Sequence, residues 1–93
     1  MFSTVPQSRN VSAGTMVEFT CAAPASGLTS FGISTTPTVG GSVTDGSDLP
    51  NGDRQVTLSF IAPSDQTSIS IVCTATTTTD FNQSFAVLMI QGN

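Results

Sequence analysis

Two cysteines, each inside a run of alternating apolar residues, set the strongest limit on what this chain can fold into. Cys21 closes the run Val17-x-Phe19-x-Cys21, and Cys73 closes Ile69-x-Ile71-x-Cys73. Successive side chains of a strand point to opposite faces, so each run places its apolar residues and its sulfur on one side. Two half-buried strands aiming one sulfur each at a common core predict two sheets joined face to face by a Cys21–Cys73 disulfide. The alternative is a pair of buried free thiols, which pack as small hydrophobes. A cysteine pair in so small a chain, rich in Ser and Thr, indicates an oxidising compartment.

The rest of the composition fits strands and excludes much else. The 93 residues include fifteen Thr and thirteen Ser, but no Lys, His, Trp or Tyr and a single Glu. The good helix formers with charged side chains are scarce, and β-branched residues and turn formers abound, so an all-β chain is expected. Its length suits one domain, residues 1–93. The net charge of −4 is carried by Glu18, Asp45, Asp48, Asp53, Asp65 and Asp80 against Arg9 and Arg54. Two separated cations cannot neutralise a run of phosphates or an anionic membrane surface, so neither nucleic acid nor a membrane is expected as a partner. No run of about 20 apolar residues and no signal-like segment is present. Met1 therefore reads as an added start, and the chain as a domain cut from a longer secreted or membrane-anchored protein. The sequons Asn10-Val11-Ser12 and Asn82-Gln83-Ser84 make Asn10 and Asn82 candidate glycosylation sites, which again implies an extracellular setting.

In chain order, Phe2 to Val11 reads as an edge strand kinked at Pro6. Thr15 to Ala22 is a second strand, and Thr29 to Thr35 a third, with Phe31 and Ile33 on one face. Between Thr36 and Asp53 the apolar residues thin out, leaving room for one or two short edge strands with turns at Asp45-Gly46 and Asn51-Gly52. Arg54 to Ile61 alternates through Val56, Leu58 and Phe60. Ser68 to Thr79 carries Cys73. A hairpin near Thr79 to Asn82 leads to the last strand, Ser84 to Gln91, which is apolar on both faces.

The pattern Val11-x-x-Gly14-x-x-Val17-x-Phe19-x-Cys21 resembles the B-strand signature of the immunoglobulin superfamily. Cys73-x-Ala75 after alternating apolar residues resembles its F strand, Ala86-x-Leu88-x-Ile90 its G strand, and Val5-Pro6 its A to A′ kink. The cysteine separation of 52 resembles that of I-set or C2-like members. The resemblance implies an immunoglobulin-like, two-sheet antiparallel sandwich with one inter-sheet disulfide. Three positions depart from the family. Ile33 stands where the C-strand tryptophan is expected, Ile71 where the tyrosine of the corner motif is expected, and Thr67 where an acidic residue is expected. The displaced Asp65 leaves an Arg54–Asp65 ion pair as the expected closure of the sandwich bottom.

Catalytic chemistry finds little purchase. There is no histidine, the cysteines are committed to the core, and no serine or threonine has a plausible base partner. No cofactor motif is present, so neither a catalytic site nor a cofactor is expected. The stretch Asp45-Gly-Ser-Asp48-Leu-Pro-Asn51-Gly-Asp53 has oxygen ligands enough for Ca²⁺ if it folds back. Its spacing matches no standard loop, and a solvated turn is the expectation; no metal site is assigned.

Function must then lie on a surface. With Ala86, Leu88 and Ile90 in the core, Phe85, Val87 and Met89 point outward from the last strand, beside Val72. Contiguous exposed apolar surface marks an interface. The alternative is a slipped register, or a stripe covered by the Val39–Val43 segment. Phe81, near the last hairpin, either anchors a partner or folds back over the sandwich end. The expected function is an extracellular recognition or adhesion module of a cell-surface protein. It would bind a protein partner, a second copy of itself among the candidates, through the C–F–G face that the resemblance implies. A spacer in a tandem array and a secreted lectin-like immune module are the alternatives.

Overall fold

Alternating runs build seven strands, described for residues 2–45 and 49–92 of the computed structural model. They are β1 (Arg9–Ser12), β2 (Met16–Pro24), β3 (Leu28–Thr36), β4 (Ser42–Asp45), β5 (Asp53–Ile61), β6 (Ser68–Thr77) and β7 (Phe81–Gln91). One sheet has the order β1-β7-β6-β3 and the other β2-β5-β4. Every neighbouring pair is antiparallel except β1 and β7, which run parallel.

The core lies between the sheets and is filled by the alternating residues. Val17, Phe19 and Cys21 of β2 and Val56, Leu58 and Phe60 of β5 face Ile69, Ile71, Cys73 and Ala75 of β6 and Ala86, Leu88 and Ile90 of β7; all are buried. The Phe19 and Phe60 rings stack at 6.1 Å. The Cys21–Cys73 disulfide crosses the gap with a Cα–Cα distance of 6.5 Å. It packs with Val56, and Phe2, Phe31 and Ile33 close around it. Ile33 is the cross-strand neighbour of Cys73, so an aliphatic side chain fills the space beside the disulfide. Ile71, at the corner-tyrosine position, is simply core.

The N-terminal segment is not one strand. Thr4 bridges Ala22 on the edge of the three-stranded sheet, and the chain then crosses at Val5-Pro6 to join β7 as β1. Proline has no N–H to offer a ladder, which makes it a natural crossing point. Ser3 Oγ donates to the Asp53 carboxylate, and Asn51 Nδ2 approaches it at 3.5 Å. This ties the N-terminus to the start of β5.

Among the described residues, the middle of the chain supplies the edge strand β4, paired with β5. Val43 therefore belongs to the three-stranded sheet and cannot cover the β7 stripe. Gly41 lets the chain approach β5 closely: a Cβ there would lie 2.5 Å from the Ser59 carbonyl oxygen and 2.8 Å from Phe60 Cβ. The expected turn at Asp45-Gly46 falls outside the described residues.

Two further expectations are corrected. Arg54 sits at the first turnward end of β5 and Asp65 lies past Ile61 at its other end. Seven residues of strand, about 23 Å, separate the ends, so the Arg54–Asp65 pair cannot close one end of the sandwich. The last strand also begins earlier than expected. Thr77 N donates to Asp80 O at 2.8 Å, and Thr77 Oγ1 accepts from Asp80 N at 2.9 Å. This tight turn makes Phe81 the first residue of β7.

Candidate recognition face and strand edge

The register of β6 and β7 defines the outer face of the four-stranded sheet. Because Ala86, Leu88 and Ile90 point inward, Phe81, Gln83, Phe85, Val87 and Met89 point outward. Phe85 retains 67% of its surface, Phe81 65%, Met89 45% and Val87 39%. Opposite them on β6, Thr76 pairs with Phe81, Thr74 with Gln83, Val72 with Phe85, Ser70 with Val87 and Ser68 with Met89. Val72 is half-buried between Phe85 and Ser34 of β3. The outward residues of β3 are Ser30, Gly32, Ser34 and Thr36, and those of β1 are Asn10 and Ser12. The result is an apolar ridge along β7 beside a low floor of small hydroxyl residues. None of these outward-pointing side chains is charged.

The three-stranded sheet turns a different face to solvent. Thr20 Oγ1 and Thr57 Oγ1 lie 3.1 Å apart, and Ser59 Oγ donates to Glu18 Oε2 at 3.2 Å. These hydroxyls satisfy one another across the strands, as cross-strand polar pairs do on a solvated sheet. Among its described residues the exposed apolar ones are Met16 opposite Ile61, at the end of the sheet, and Val43 on the edge strand β4.

Sequence reasoning located Phe85, Val87, Met89 and Val72 on one face, and the structure brings them together there. Phe81 belongs to the same row: it stands in the strand with its ring outward instead of folding over the sandwich end. Of the two sequons, Asn10 is exposed on β1 beside Met89, whereas Asn82 is half-buried opposite Ala75.

What sequence reasoning missed is an open strand edge. Asp80 O and Thr77 N bond across the hairpin, and Val87 N donates to Ser8 Oγ at 3.0 Å on the far side of β7. Ala13 N donates to Gln91 O at 3.2 Å, again on the far side. The odd-numbered residues of β7 thus direct both N–H and C=O away from β6, as alternation in an antiparallel ladder requires. β1 covers this edge only from Arg9 opposite Leu88 onward. Among the described residues, no backbone partner meets Phe81, Gln83 or Phe85 on that side. The signal was present in principle, since Pro6 lies where a longer β1 would have covered them.

The aspartate stretch assembles no metal centre among the described residues. The Asp53 carboxylate is engaged by Ser3 and Asn51, while Asp48 and the Asp45 side chain lie outside the described residues. Elsewhere, a shallow cleft of about 230 Å³ opens between β3 and β4, lined by Ile33, Val39, Val43 and Leu58.

No protein-family model matches the sequence, and no curated protein matches it significantly. Solved structures do. The tandem Ig repeats of Dlar superpose with a TM-score of 0.71 at 22% identity, covering 100% of this chain and 48% of that one. The eight N-terminal Ig domains of Down Syndrome Cell Adhesion Molecule give 0.76 at 15% identity, covering 99% of this chain and 12% of theirs. The titin domains z1z2 in complex with telethonin give 0.72 at 16% identity, covering 100% and 48%.

The fold is the immunoglobulin fold.

In its terms β1 is A′, β2 B, β3 C, β4 D, β5 E, β6 F and β7 G. The chain spans about half of the Dlar and titin z1z2 chains it matches, which carry more than one such unit. At these identities the likeness establishes architecture. Within this two-sheet fold, β6 and β1 hold the outer β7 row and its edge in place.

Proposed function

We propose that this immunoglobulin-like domain is an extracellular recognition module of a cell-surface receptor or adhesion protein, and that it binds a protein partner non-covalently through the outer face of β7 and β6. The carrying observation is the exposed row Phe85, Val87 and Met89 on a face without charge. Contiguous apolar surface rimmed by uncharged hydroxyls matches the centre of a protein interface, where charge is depleted and aromatic side chains and Met are enriched. Among the described residues, the opposite sheet carries hydroxyls paired across its strands, and its exposed apolar residues Met16, Ile61 and Val43 lie at its end and edge rather than along one strand. The disulfide and the candidate glycosylation sites Asn10 and Asn82 support an extracellular setting. Domains of the same fold occur in Down Syndrome Cell Adhesion Molecule, and titin z1z2 is known in complex with telethonin; both support binding of protein partners by this architecture.

A spacer in a tandem array is the second reading, supported by the tandem Ig repeats of Dlar. A fluorescent tetramer of the domain, applied to cells of the source organism before and after trypsin treatment, separates the two. Recognition predicts trypsin-sensitive binding that Phe85→Asp reduces at least tenfold. A spacer predicts no binding above a denatured control.

A further inference from the structure

We propose that two copies of this domain pair through the open edge of β7, antiparallel about Gln83, joining their four-stranded sheets into one continuous sheet. This rests on reading the β7 side as the recognition surface, and names a second copy of the chain as its occupant. The free edge runs from Phe81 to Phe85. At one end the Thr77–Asp80 turn stops it, and at the other Ser8 takes the N–H of Val87. Within that slot the backbone groups of Phe81, Gln83 and Phe85 point outward together, the arrangement that invites an added strand.

The slot is self-complementary. A two-fold axis at Gln83 places Gln83 opposite its own copy and Phe81 opposite the other copy's Phe85. Each pairing satisfies N–H and C=O groups on both strands and makes an isologous contact. On the outer face it brings each exposed phenylalanine beside another, a favourable cross-strand pair. The charges also agree. The chain carries −4 overall, yet the paired segment contains no charged residue. Its ends bring Asp80 of one copy toward the β1 start of the other, where Arg9 stands beside Leu88. The contact is short, with total burial below about 1,200 Å², so the dimer is a weak and reversible one.

Sedimentation velocity over a concentration series up to about 1 mM reads this directly. The wild-type domain is expected to dimerise. Gln83→Lys and Gln83→Glu each place like charges across the axis and should raise the dissociation constant at least tenfold. An equimolar mixture of the two variants should restore association as a heterodimer. Gln83 is exposed and both changes preserve the sequon, so neither disturbs the core or its modification. Exchange of the Gln83 amide provides a readout in the unaltered protein and should slow as concentration rises. A monomer throughout the series overturns the proposal, and so does a dimer indifferent to both Gln83 variants. If such a monomer still binds cells in a manner sensitive to trypsin and to Phe85→Asp, self-pairing fails while the recognition reading stands.

Discussion

Replacing Cys21 and Cys73 together by alanine should remove most of the domain's stability. The bond closes a loop with a sequence separation of 52, and the chain-entropy model gives about 4 kcal/mol for a loop of that length. The packing around it adds to this figure. Both sulfurs are fully buried against Val56, with the smaller Ile33 in place of a large ring. Losing them opens a gap that the neighbours fill only partly. A domain of this size holds about 5–15 kcal/mol in total, so the double variant should unfold at a midpoint roughly 15–30 °C lower. Urea titration followed by far-ultraviolet circular dichroism, with and without reductant on the wild type, measures the same loss by two routes. A loss below about 1 kcal/mol by both would refute the reasoning that the staple dominates this core.

Other positions give sharper local tests. Gly41→Ala should cost about 1–3 kcal/mol, because its Cβ would meet the Ser59 carbonyl and Phe60; Gly40→Ala, which meets nothing, should be close to neutral by thermal melting. Leu88→Ala should cost about 2–5 kcal/mol in urea titration, since the side chain is wholly buried between the sheets. Asp53→Ala removes the acceptor that holds Ser3. It should cost about 1–3 kcal/mol and expose the N-terminal segment to limited proteolysis, read by mass spectrometry.

Much of the fold was legible because period-two alternation is a strong signal where one face is buried. The runs through Val17, Val56, Ile69 and Ala86 set both sheets, and the two sulfurs supplied the crossing between them. The inward set Ala86, Leu88 and Ile90 also fixed which residues of β7 face solvent, since a one-residue slip would reverse every side chain. The start of β7 was harder to read. Asp80-Phe81-Asn82-Gln83-Ser84 looks like a loop by composition, but Thr77 caps the turn through its hydroxyl and lets the strand begin at Phe81. The Arg54–Asp65 expectation was carried over from the family resemblance with its register displaced, and it failed because β5 runs from Asp53 to Ile61 and puts Arg54 at one end of the sandwich and Asp65 past the other. The open edge depends on how far β1 runs beside β7, a non-local property set by the crossing at Pro6. Alternation within either strand does not encode it.

The most direct test compares two aspartate substitutions of equal charge on opposite faces, Val87→Asp on β7 and Thr44→Asp on β4, in the tetramer-binding measurement on untreated cells. Recognition through the β7 face predicts at least a tenfold loss for Val87→Asp and unchanged binding for Thr44→Asp. Equal effects of the two, or loss with Thr44→Asp alone, would contradict it.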